Sequence, residues 1–502
     1  MIVTTPDRSI FAPYTDADTF ARIVEMDSIT EMWQRCVAEY ATLPAIVDAG
    51  ETHTYGQLEA DAAGFRALVG ADGADARRVA IYCPNSYDFV KAFIATATLG
   101  YTAVILPPQL PDMAVMGICA QYGVDTLVYS PALADKTGLV AEKLPRVRRI
   151  PTDTATTETL AMRTPDAKSP CVIMFTGGTT GKSKGAILSN GAVMQGVVNG
   201  CYGYREVFHQ RYLLILPFSH VFGLIRSLLT VLYTGGSLCI CRNNADMFRD
   251  AAAFRPQILV SVPAVAEMAL ALSKKFGRMM LGADLKYIIC GAAAVAPYLV
   301  GEYEKFGITL FPGYGLTESA NLVSGNPACG ERPDSVGIPY PNQELRFENG
   351  ELWLRGKNLF DGYLGGVGED AFEDGWFKTG DLARLDEDGF LYITGRLKEI
   401  IVLANGENIS PAEVEAEFNK LPLIADSLVY ADGEGGLKLE VTLREAEVAT
   451  LGAADPRAYV TEELRRINAG LPTHWRVNNI EIRDKDFART PSMKIIRPKQ
   501  EV

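Results

Sequence analysis

The sequence predicts an α/β protein with a large N-terminal domain of βα-layered sheets and a small α+β C-terminal domain. A chain of 502 residues is too long for one compact core. From about residue 79, short apolar runs repeatedly lead through a Gly, Pro or Asn break into a helical stretch, which indicates parallel βα units. The pattern changes after Arg396. We therefore expect domains at 1–397 and 398–502.

The βα pattern is clearest at VAIYC, residues 79–83. A Pro-Asn-Ser break follows, and apolar side chains then recur at helical spacing from Phe89 to Ala97, which predicts a strand followed by an amphipathic helix. Further strands are predicted at LVYS, CVIMF, LLILP, SLCIC, ILVSV, YIICG and ITLF.

The C-terminal segment has a different order of elements. Ser410, Pro411 and Glu413 predict a helix start with an N-cap serine, a first-turn proline and a capping box. DSLVYADGEGGLKLEVTLR then predicts a hairpin, which is followed by a helix near 456–470 and a strand at NNIEIRD. This order predicts a separate α+β unit of roughly a hundred residues.

Charge and composition argue against nucleic-acid-binding and membrane-spanning proteins and against a cysteine metal site. The 61 acidic residues outnumber the 48 basic ones, the net charge is -13, and no basic cluster is present, so nucleic acid is not an expected partner. The sequence shows neither a secretion signal nor an apolar run of membrane-spanning length, so we expect a cytoplasmic protein without a membrane span. Nine scattered cysteines predict reduced thiols that pack as small hydrophobes, not a metal site. The sequence leaves the oligomeric state open.

The most informative segment is the loop that follows the apolar strand ending at Phe175. Glycines allow backbone N–H groups to approach an anion, while threonine hydroxyls and lysines add donors and charge, so the loop predicts polyphosphate binding. Its candidate residues are Thr176, Gly177, Gly178, Thr179, Thr180, Gly181, Lys182 and Lys184. The alternative is a flexible linker. A Walker A loop is excluded, because position 176 is not glycine and an apolar run resumes at 185–188.

The loop resembles the signature of the acyl-adenylate-forming (AMP-binding) superfamily, which includes acyl-CoA synthetases, luciferases and peptide-synthetase adenylation domains. Further segments resemble the family's other motifs, in its order: THTYGQL, PFSHVFG, GYGLTES, DGWFKTGDL, GRLKEIIVLANGENISPAEVE and TPSMKIIR. The resemblance implies that ATP converts a carboxylic acid to an acyl-AMP with release of pyrophosphate, and that the acyl group then passes to coenzyme A. It implies ATP, Mg²⁺ and coenzyme A as cofactors and a mobile C-terminal domain.

The resemblance also implies roles for residues at the nucleotide. Tyr314 and Gly315 would lie against the nucleotide, with Tyr314 at the adenine, and Thr317 would contact the α-phosphate. Glu318, with Thr176, would hold Mg²⁺. Asp381 would accept hydrogen bonds from the ribose hydroxyls, and Arg396 would reach the ribose or the phosphates. The alternatives from the residues alone are a helix cap for Thr317 and Glu318, a turn for Asp381 and a surface ion pair for Arg396.

Three positions in the C-terminal domain carry implied roles. Lys494 would bridge the substrate carboxylate and the α-phosphate as the central catalytic residue, although a lone tail lysine is usually only solvated. Lys398 would be the hinge of the domain. Gly406 would let the 404–408 loop approach the pantetheine arm, for which the alternative is an ordinary Asn-Gly turn.

The residues predicted for the acid pocket are the least specific of the candidate site residues. The resemblance places His220 near the substrate carboxylate, and apolar or small residues suggest the pocket wall, although they equally suit core packing; they are Phe222, Gly291, Ala292, Ala293 and Gly313. The segment 217–220 lacks an aspartate to pair with an ammonium group, which disfavours amino acids. We expect a medium or long-chain fatty acid, with an aromatic acid as the alternative.

The chain departs from the family's common pattern at Gly177, Ser183, Ala292 and Met493, none of which removes a charged catalytic group. Three other functions stay open: transfer to the pantetheine of a carrier protein, oxidation of an adenylate as in luciferases, and an inactive acyl or nucleotide binder. The last is disfavoured because Glu318, Asp381 and Lys494 are all present.

Overall fold

The computed structural model of the chain describes residues 2–5, 7–71, 73, 77–176, 184–366, 368–403, 407–432, 436–453, 455–489 and 495–497. Within these ranges the protein is a mixed α/β structure, which confirms the predicted class.

The strands are labelled in chain order. They are β1 Ile2–Thr4, β2 Pro44–Asp48, β3 Glu51–Thr54, β4 Arg78–Tyr82, β5 Thr102–Leu106, β6 Thr126–Tyr129, β7 Arg148–Pro151, β8 Pro170–Thr176, β9 Lys184–Ser189, β10 Arg211–Leu214, β11 Ser237–Ile240, β12 Ile258–Ser261, β13 Tyr287–Cys290, β14 Thr309–Tyr314, β15 Ser324–Gly325, β16 Ile338–Pro339, β17 Gln343–Glu348, β18 Glu351–Gly356, β19 Gly362–Tyr363, β20 Phe372–Glu373, β21 Trp376–Leu385, β22 Leu391–Arg396, β23 Ile401–Val402, β24 Asn408–Ile409, β25 Ile424–Ala431, β26 Leu437–Leu443 and β27 Val477–Ile482.

The α-helices are labelled in the same way. They are α1 Ala17–Arg22, α2 Ile29–Tyr40, α3 Tyr55–Val69, α4 Tyr87–Ala97, α5 Asp112–Gln121, α6 Gly138–Lys143, α7 Asn190–Asn199, α8 Thr230–Tyr233, α9 Met247–Phe254, α10 Pro263–Phe276, α11 Pro297–Glu304, α12 Pro411–Asn419, α13 Glu445–Val448 and α14 Pro456–Gly470. A π-helix spans Phe222–Leu229. Short 3₁₀ helices lie at Arg8–Tyr14, Pro131–Thr137, Asn244–Asp246, Thr317–Ser319, Glu369–Ala371, Leu397–Glu399 and Thr473–Trp475.

Three large sheets form the part before residue 397. A seven-stranded sheet has the order β19-β9-β8-β5-β4-β6-β7, and a nine-stranded sheet has the order β16-β15-β14-β13-β12-β10-β11-β2-β3. Their central strands are parallel. The third sheet, β1-β17-β18-β21-β20 with β22 beside β21, is antiparallel. The βα pattern thus predicted the first two sheets, whereas the third was not anticipated.

The chain after residue 400 has its own hydrophobic core, built from residues between Ile401 and Val477. The predicted hairpin, helix and last strand are present as β25–β26, α14 and β27. The predicted capping box of α12 is wrong. Ser410 precedes the helix but makes no side-chain cap; its hydroxyl donates to the Thr394 carbonyl at 2.6 Å, because Gly395 lets the two segments approach closely.

All nine cysteines are buried and unpaired, as predicted. Burial raises the pKa of Cys171, for example, to about 12, so the thiol stays protonated and packs as a hydrophobe. Among the described helices, none combines the length and apolar character needed to cross a bilayer.

Candidate active site

Tyr314, Asp381 and Arg396 meet where the second and third sheets approach each other. Asp381 in β21 lies directly opposite Arg396 in the antiparallel β21–β22 pair. The Arg396 Nε is 2.7 Å from Asp381 Oδ1, and Tyr314 Oη donates to Asp381 Oδ2 at 2.6 Å. Only 3% of the Asp381 side chain is exposed. Three residues assigned to the nucleotide from separate motifs therefore form one hydrogen-bonded cluster.

The surroundings of Tyr314 and Arg396 determine the protonation states of these two side chains. Burial raises the pKa of Tyr314 well above its ordinary value, and the neighbouring Asp381 raises it further. Burial alone would lower the pKa of Arg396, but Asp381 and Tyr314 more than offset it and the pKa is raised. Tyr314 thus stays a donor and Arg396 stays charged at neutral pH, and both hold the Asp381 carboxylate in place.

Gly315 leads from β14 into the 3₁₀ turn Thr317–Ser319. A Cβ at Gly315 would lie 1.4 Å from the backbone oxygen of Asn321, so no other residue fits this turn. The Ser319 hydroxyl accepts a hydrogen bond from the Leu316 amide at 2.9 Å and closes the turn. This packing fixes where the Thr317 and Glu318 side chains begin.

Glu318, Tyr363 and Lys184 form a second cluster. Tyr363 Oη donates to Glu318 Oε1 at 2.5 Å, and the Lys184 ammonium lies 4.9 Å from the centre of the Tyr363 ring. Tyr363 in β19 pairs with Ala186 in β9, the strand that begins at Lys184. Burial raises the pKa of Tyr363, and Glu318 adds to the shift, so the phenol remains a donor. The end of the predicted phosphate loop thus lies next to the predicted Mg²⁺ ligand.

His220 lies two residues before the π-helix Phe222–Leu229. Its Nδ1 accepts a hydrogen bond from the Phe222 amide at 3.3 Å. The wide helical turns are supported by the hydroxyls of Ser227 and Thr230, each of which donates to the carbonyl five residues earlier. π-Helical turns are uncommon and often occur at functional sites. This local structure fixes the orientation of His220.

Three residues predicted for the acid pocket are in contact. A Cβ at Gly291 would lie 3.7 Å from the Phe222 ring and 3.1 Å from the Gly313 carbonyl, so the absence of a side chain at Gly291 leaves space between them. Ala292 has φ 65°, in the left-handed region that favours glycine. Ala293 is exposed, so the structure does not place it inside a buried pocket.

Several predicted residues lie outside the described part of the chain: Gly177, Gly178, Thr179, Thr180, Gly181, Lys182, Gly406 and Lys494. Thr176 ends β8 opposite Lys184. Lys398 is an exposed residue of the 3₁₀ turn Leu397–Glu399, at the junction of the two hydrophobic cores.

Residues 495–497 of the C-terminal tail contact three other segments of the chain. The Ile496 amide donates to the Ala488 carbonyl at 2.8 Å. Beyond it, Arg497 forms two hydrogen bonds of 2.7 Å to the two carboxylate oxygens of Glu415 in α12. Arg497 Nε also lies 2.9 Å from Glu399 in the predicted hinge turn. Arg497 therefore connects the described end of the C-terminal tail to α12 and to this turn.

Ion pairs join the C-terminal part to the N-terminal part. Arg444 Nη2 lies 3.1 Å from Glu267 Oε1 in α10, and its guanidinium lies 3.8 Å from the Tyr298 ring centre. Lys274 contacts both Glu302, at 2.8 Å, and Glu447. These contacts define the domain arrangement that the structure shows.

The motif comparison missed Tyr363, Glu415 and Arg497 as partners of the site. The Gly362-Tyr363 dipeptide between the GYGLTES and TGD motifs was the available signal for the first. Glu415 and Arg497 fell inside motifs already singled out, but their pairing needs the tertiary structure, because 82 residues separate them.

Comparison with known proteins assigns the chain to a family. The profile of the AMP-binding enzyme family matches residues 33–364, and that of the AMP-binding enzyme C-terminal domain matches residues 398–502. Together these matches span most of the chain and include Tyr314 and the whole Glu318–Tyr363–Lys184 cluster, whereas Asp381 and Arg396 lie between the two matched ranges.

Relatives and solved structures agree with this assignment. The chain is 29% identical over 415 residues to a long-chain-fatty-acid–CoA ligase, FadD15, of Mycobacterium bovis. The alignment covers 67% of this chain and 68% of the relative. It is 29% identical to a feruloyl-CoA synthase of Amycolatopsis sp., covering 75% and 80% of the two chains. The o-succinylbenzoate CoA synthetase of Bacillus subtilis, in complex with its acyl-adenylate, has a TM-score of 0.76 at 23% identity, covering 93% and 96%. The two-part fold is confirmed.

Proposed function

The chain belongs to the AMP-binding enzyme family of acyl-CoA ligases, and we propose that it activates a carboxylic acid with an apolar body, such as a medium or long-chain fatty acid. In the first step a carboxylate oxygen attacks the α-phosphate of ATP, an acyl-AMP forms and pyrophosphate leaves. In the second step the thiol of coenzyme A loses its proton, its sulfur attacks the acyl carbon, and AMP leaves.

The observation that carries this proposal is the Tyr314–Asp381–Arg396 cluster. A buried carboxylate suits a pair of ribose hydroxyls, because it accepts hydrogen bonds and they donate them, and the adjacent guanidinium suits an anionic phosphate. Tyr314 holds Asp381 in its orientation from the other side. The arrangement therefore fits a nucleoside phosphate.

The second cluster fits the triphosphate. Glu318 and Lys184 both contact Tyr363 and offer a carboxylate and an ammonium, so a hard cation and phosphate oxygens find suitable partners there. Glu318, with the Thr176 hydroxyl, would hold Mg²⁺, whose charge would offset that of the phosphates. Tyr363 orients the Glu318 carboxylate for this role.

The C-terminal part would supply Lys494, positioned through Arg497 and Glu415. Its ammonium would lie between the acid and the α-phosphate and would offset the negative charge that gathers in the adenylation transition state. Rotation about Lys398 would then replace Lys494 with the 404–408 loop, which would admit the pantetheine arm. The buried, reduced thiols suit the cytoplasm, where we place the protein.

Release of pyrophosphate with a panel of fatty, aromatic and amino acids, each with and without coenzyme A, tests the proposal. We expect acid-dependent release that rises with coenzyme A, and a thioester product of the corresponding mass. Release of pyrophosphate without any coenzyme A thioester would indicate that a carrier protein accepts the acyl group in the second step. No release with any acid would overturn the proposal in favour of a binding protein.

A further inference from the structure

Arg226 is a fully buried arginine in the π-helix that begins at Phe222, a residue predicted for the acid pocket. It lies in the π-helix, four residues after Phe222, and its relative exposure is 0%. Among the described residues, no hydrogen-bond partner exists for its Nε, Nη1 or Nη2. Arg66, the other buried arginine among the described residues, instead donates hydrogen bonds to Glu59, Thr98 and the Leu160 carbonyl.

Such an arginine is unusual on energetic grounds. The guanidinium is always charged and offers five N–H donors. An isolated charge in a protein interior is strongly unfavourable unless it is paired. In the described part of the chain, Arg226 forms no ion pair, and its contacts are the ring faces of Tyr204 and Tyr212, at 5.3 and 6.0 Å. Contact with ring faces leaves the N–H donors unused.

The surroundings of Arg226 add a further donor. The hydroxyl of Tyr212 is buried and has no hydrogen-bond partner among the described residues. A phenol and a guanidinium together present donors, and the complement of a donor-rich charged site is a group that only accepts and carries negative charge. A carboxylate has both properties.

A short path leads from Arg226 to the proposed pocket. Tyr204, below the guanidinium, packs edge-on against Phe311 at 4.9 Å. Phe311 and Gly313 are two residues apart in β14 and therefore face the same side of the sheet. Gly313 in turn adjoins the space between Gly291 and Phe222. Tyr204 and Phe311 therefore connect Arg226 to the proposed pocket.

From these contacts we infer that Arg226 binds a second carboxylate at the distal end of the acid, so that the preferred substrate is a dicarboxylic acid with an apolar middle. The inference rests on the proposed function, and it narrows the substrate class. One carboxylate is adenylated near His220, and the other pairs with the guanidinium of Arg226 and the Tyr212 hydroxyl.

The test compares acids of matched length in acid-dependent ATP–pyrophosphate exchange: succinic, adipic and suberic acids against butyric, hexanoic and octanoic acids. For at least one length, we expect the wild-type kcat/KM to favour the dicarboxylic acid by about 10- to 100-fold, the contribution of hydrogen bonds to a charged group. The Arg226→Met variant should lose this preference, while Arg226→Lys should keep part of it.

Arg35→Met is the matched control, because Arg35 also lies over a tyrosine ring, that of Tyr233, at 4.7 Å. It should keep the wild-type preference. Exchange that favours the monocarboxylic acids at every length, or a preference that Arg226→Met leaves unchanged, would overturn the inference while leaving the proposed function intact. The comparison of dicarboxylic with monocarboxylic acids in the wild-type protein tests the inference even where a variant fails to fold. Absence of exchange with every acid, including aromatic ones, would instead overturn the proposed function.

Discussion

Arg497 and Glu415 form a bidentate ion pair that connects the C-terminal tail to α12. Both N···O distances are 2.7 Å, and Glu415 is almost fully buried. Burial raises the pKa of Glu415, an effect that Arg497 opposes. Arg497 also contacts Glu399 in the predicted hinge turn, and it follows the proposed catalytic Lys494 by three residues in the sequence.

Arg497→Gln should therefore impair adenylation, although we do not place Arg497 in contact with the substrate. The variant leaves Glu415 buried and unpaired, at a cost of about 3 kcal/mol, and loosens the segment that holds Lys494. We expect the kcat of ATP–pyrophosphate exchange to fall about 100-fold, as for a small misplacement of a catalytic group, with less effect on the KM for ATP.

The double variant Arg497→Gln with Glu415→Gln is the control. Since it removes the unpaired charge, it should recover part of the lost stability in urea unfolding while activity stays low. Equal loss of stability in the single and double variants would show that the pair does not act as a unit.

Tyr363→Phe should weaken use of Mg²⁺. The substitution removes only the hydroxyl that holds Glu318, and a hydrogen bond to a charged group contributes about 1.5–3 kcal/mol. The Mg²⁺ concentration for half-maximal ATP–pyrophosphate exchange should rise roughly 10-fold. Tyr430→Phe removes a comparable bond, 2.5 Å to Glu440 in the C-terminal part, and should have no such effect. An unchanged Mg²⁺ dependence in Tyr363→Phe would contradict the assignment of Glu318.

Arg444→Met should change the balance between the two half-reactions. Arg444 joins the C-terminal part to Glu267 and Tyr298 in one domain arrangement, so its loss favours the other arrangement. Acyl-AMP formation and thioester formation, measured separately in single turnovers, should change in opposite directions. Arg457→Met, which breaks an ion pair to Asp484 within the C-terminal part, is the control. Equal changes in both half-reactions would argue against a domain rotation.

The hairpin between β21 and β22, which positions Asp381 and Arg396, should depend on Asp386. Burial alone would raise the pKa of Asp386, but the Phe390 amide, the Tyr392 hydroxyl and Arg332 lower it. A lowered pKa in the folded state contributes stability above the unfolded pKa of about 3.9, and this contribution is lost as the pH falls through the folded value.

Asp386→Asn should accordingly be less stable than wild type by about 1 kcal/mol at neutral pH. In urea unfolding, the difference should shrink below about pH 4, where the unfolded carboxyl is protonated. A difference that is independent of pH would show that the charge of Asp386 does not contribute.

Local patterns predicted the parallel strands and the C-terminal elements, because apolar periodicity and turn residues determine them directly. The third sheet was not anticipated, because its antiparallel strands carry charged and polar residues, as in QELRFE of β17. The motifs identified Tyr314, Asp381 and Arg396 but not their mutual contacts. Tyr363 and Arg226 needed the structure, because partners and burial depend on residues distant in sequence.

The most direct test of the central claim is the formation of acyl-coenzyme A, identified by mass, in reactions of wild type and Lys494→Ala with and without ATP. We predict an ATP-dependent thioester and pyrophosphate in wild type, and loss of both in Lys494→Ala while ATP binding, measured by calorimetry, persists. Normal adenylation by Lys494→Ala, or no adenylation of any acid by wild type, would contradict the account.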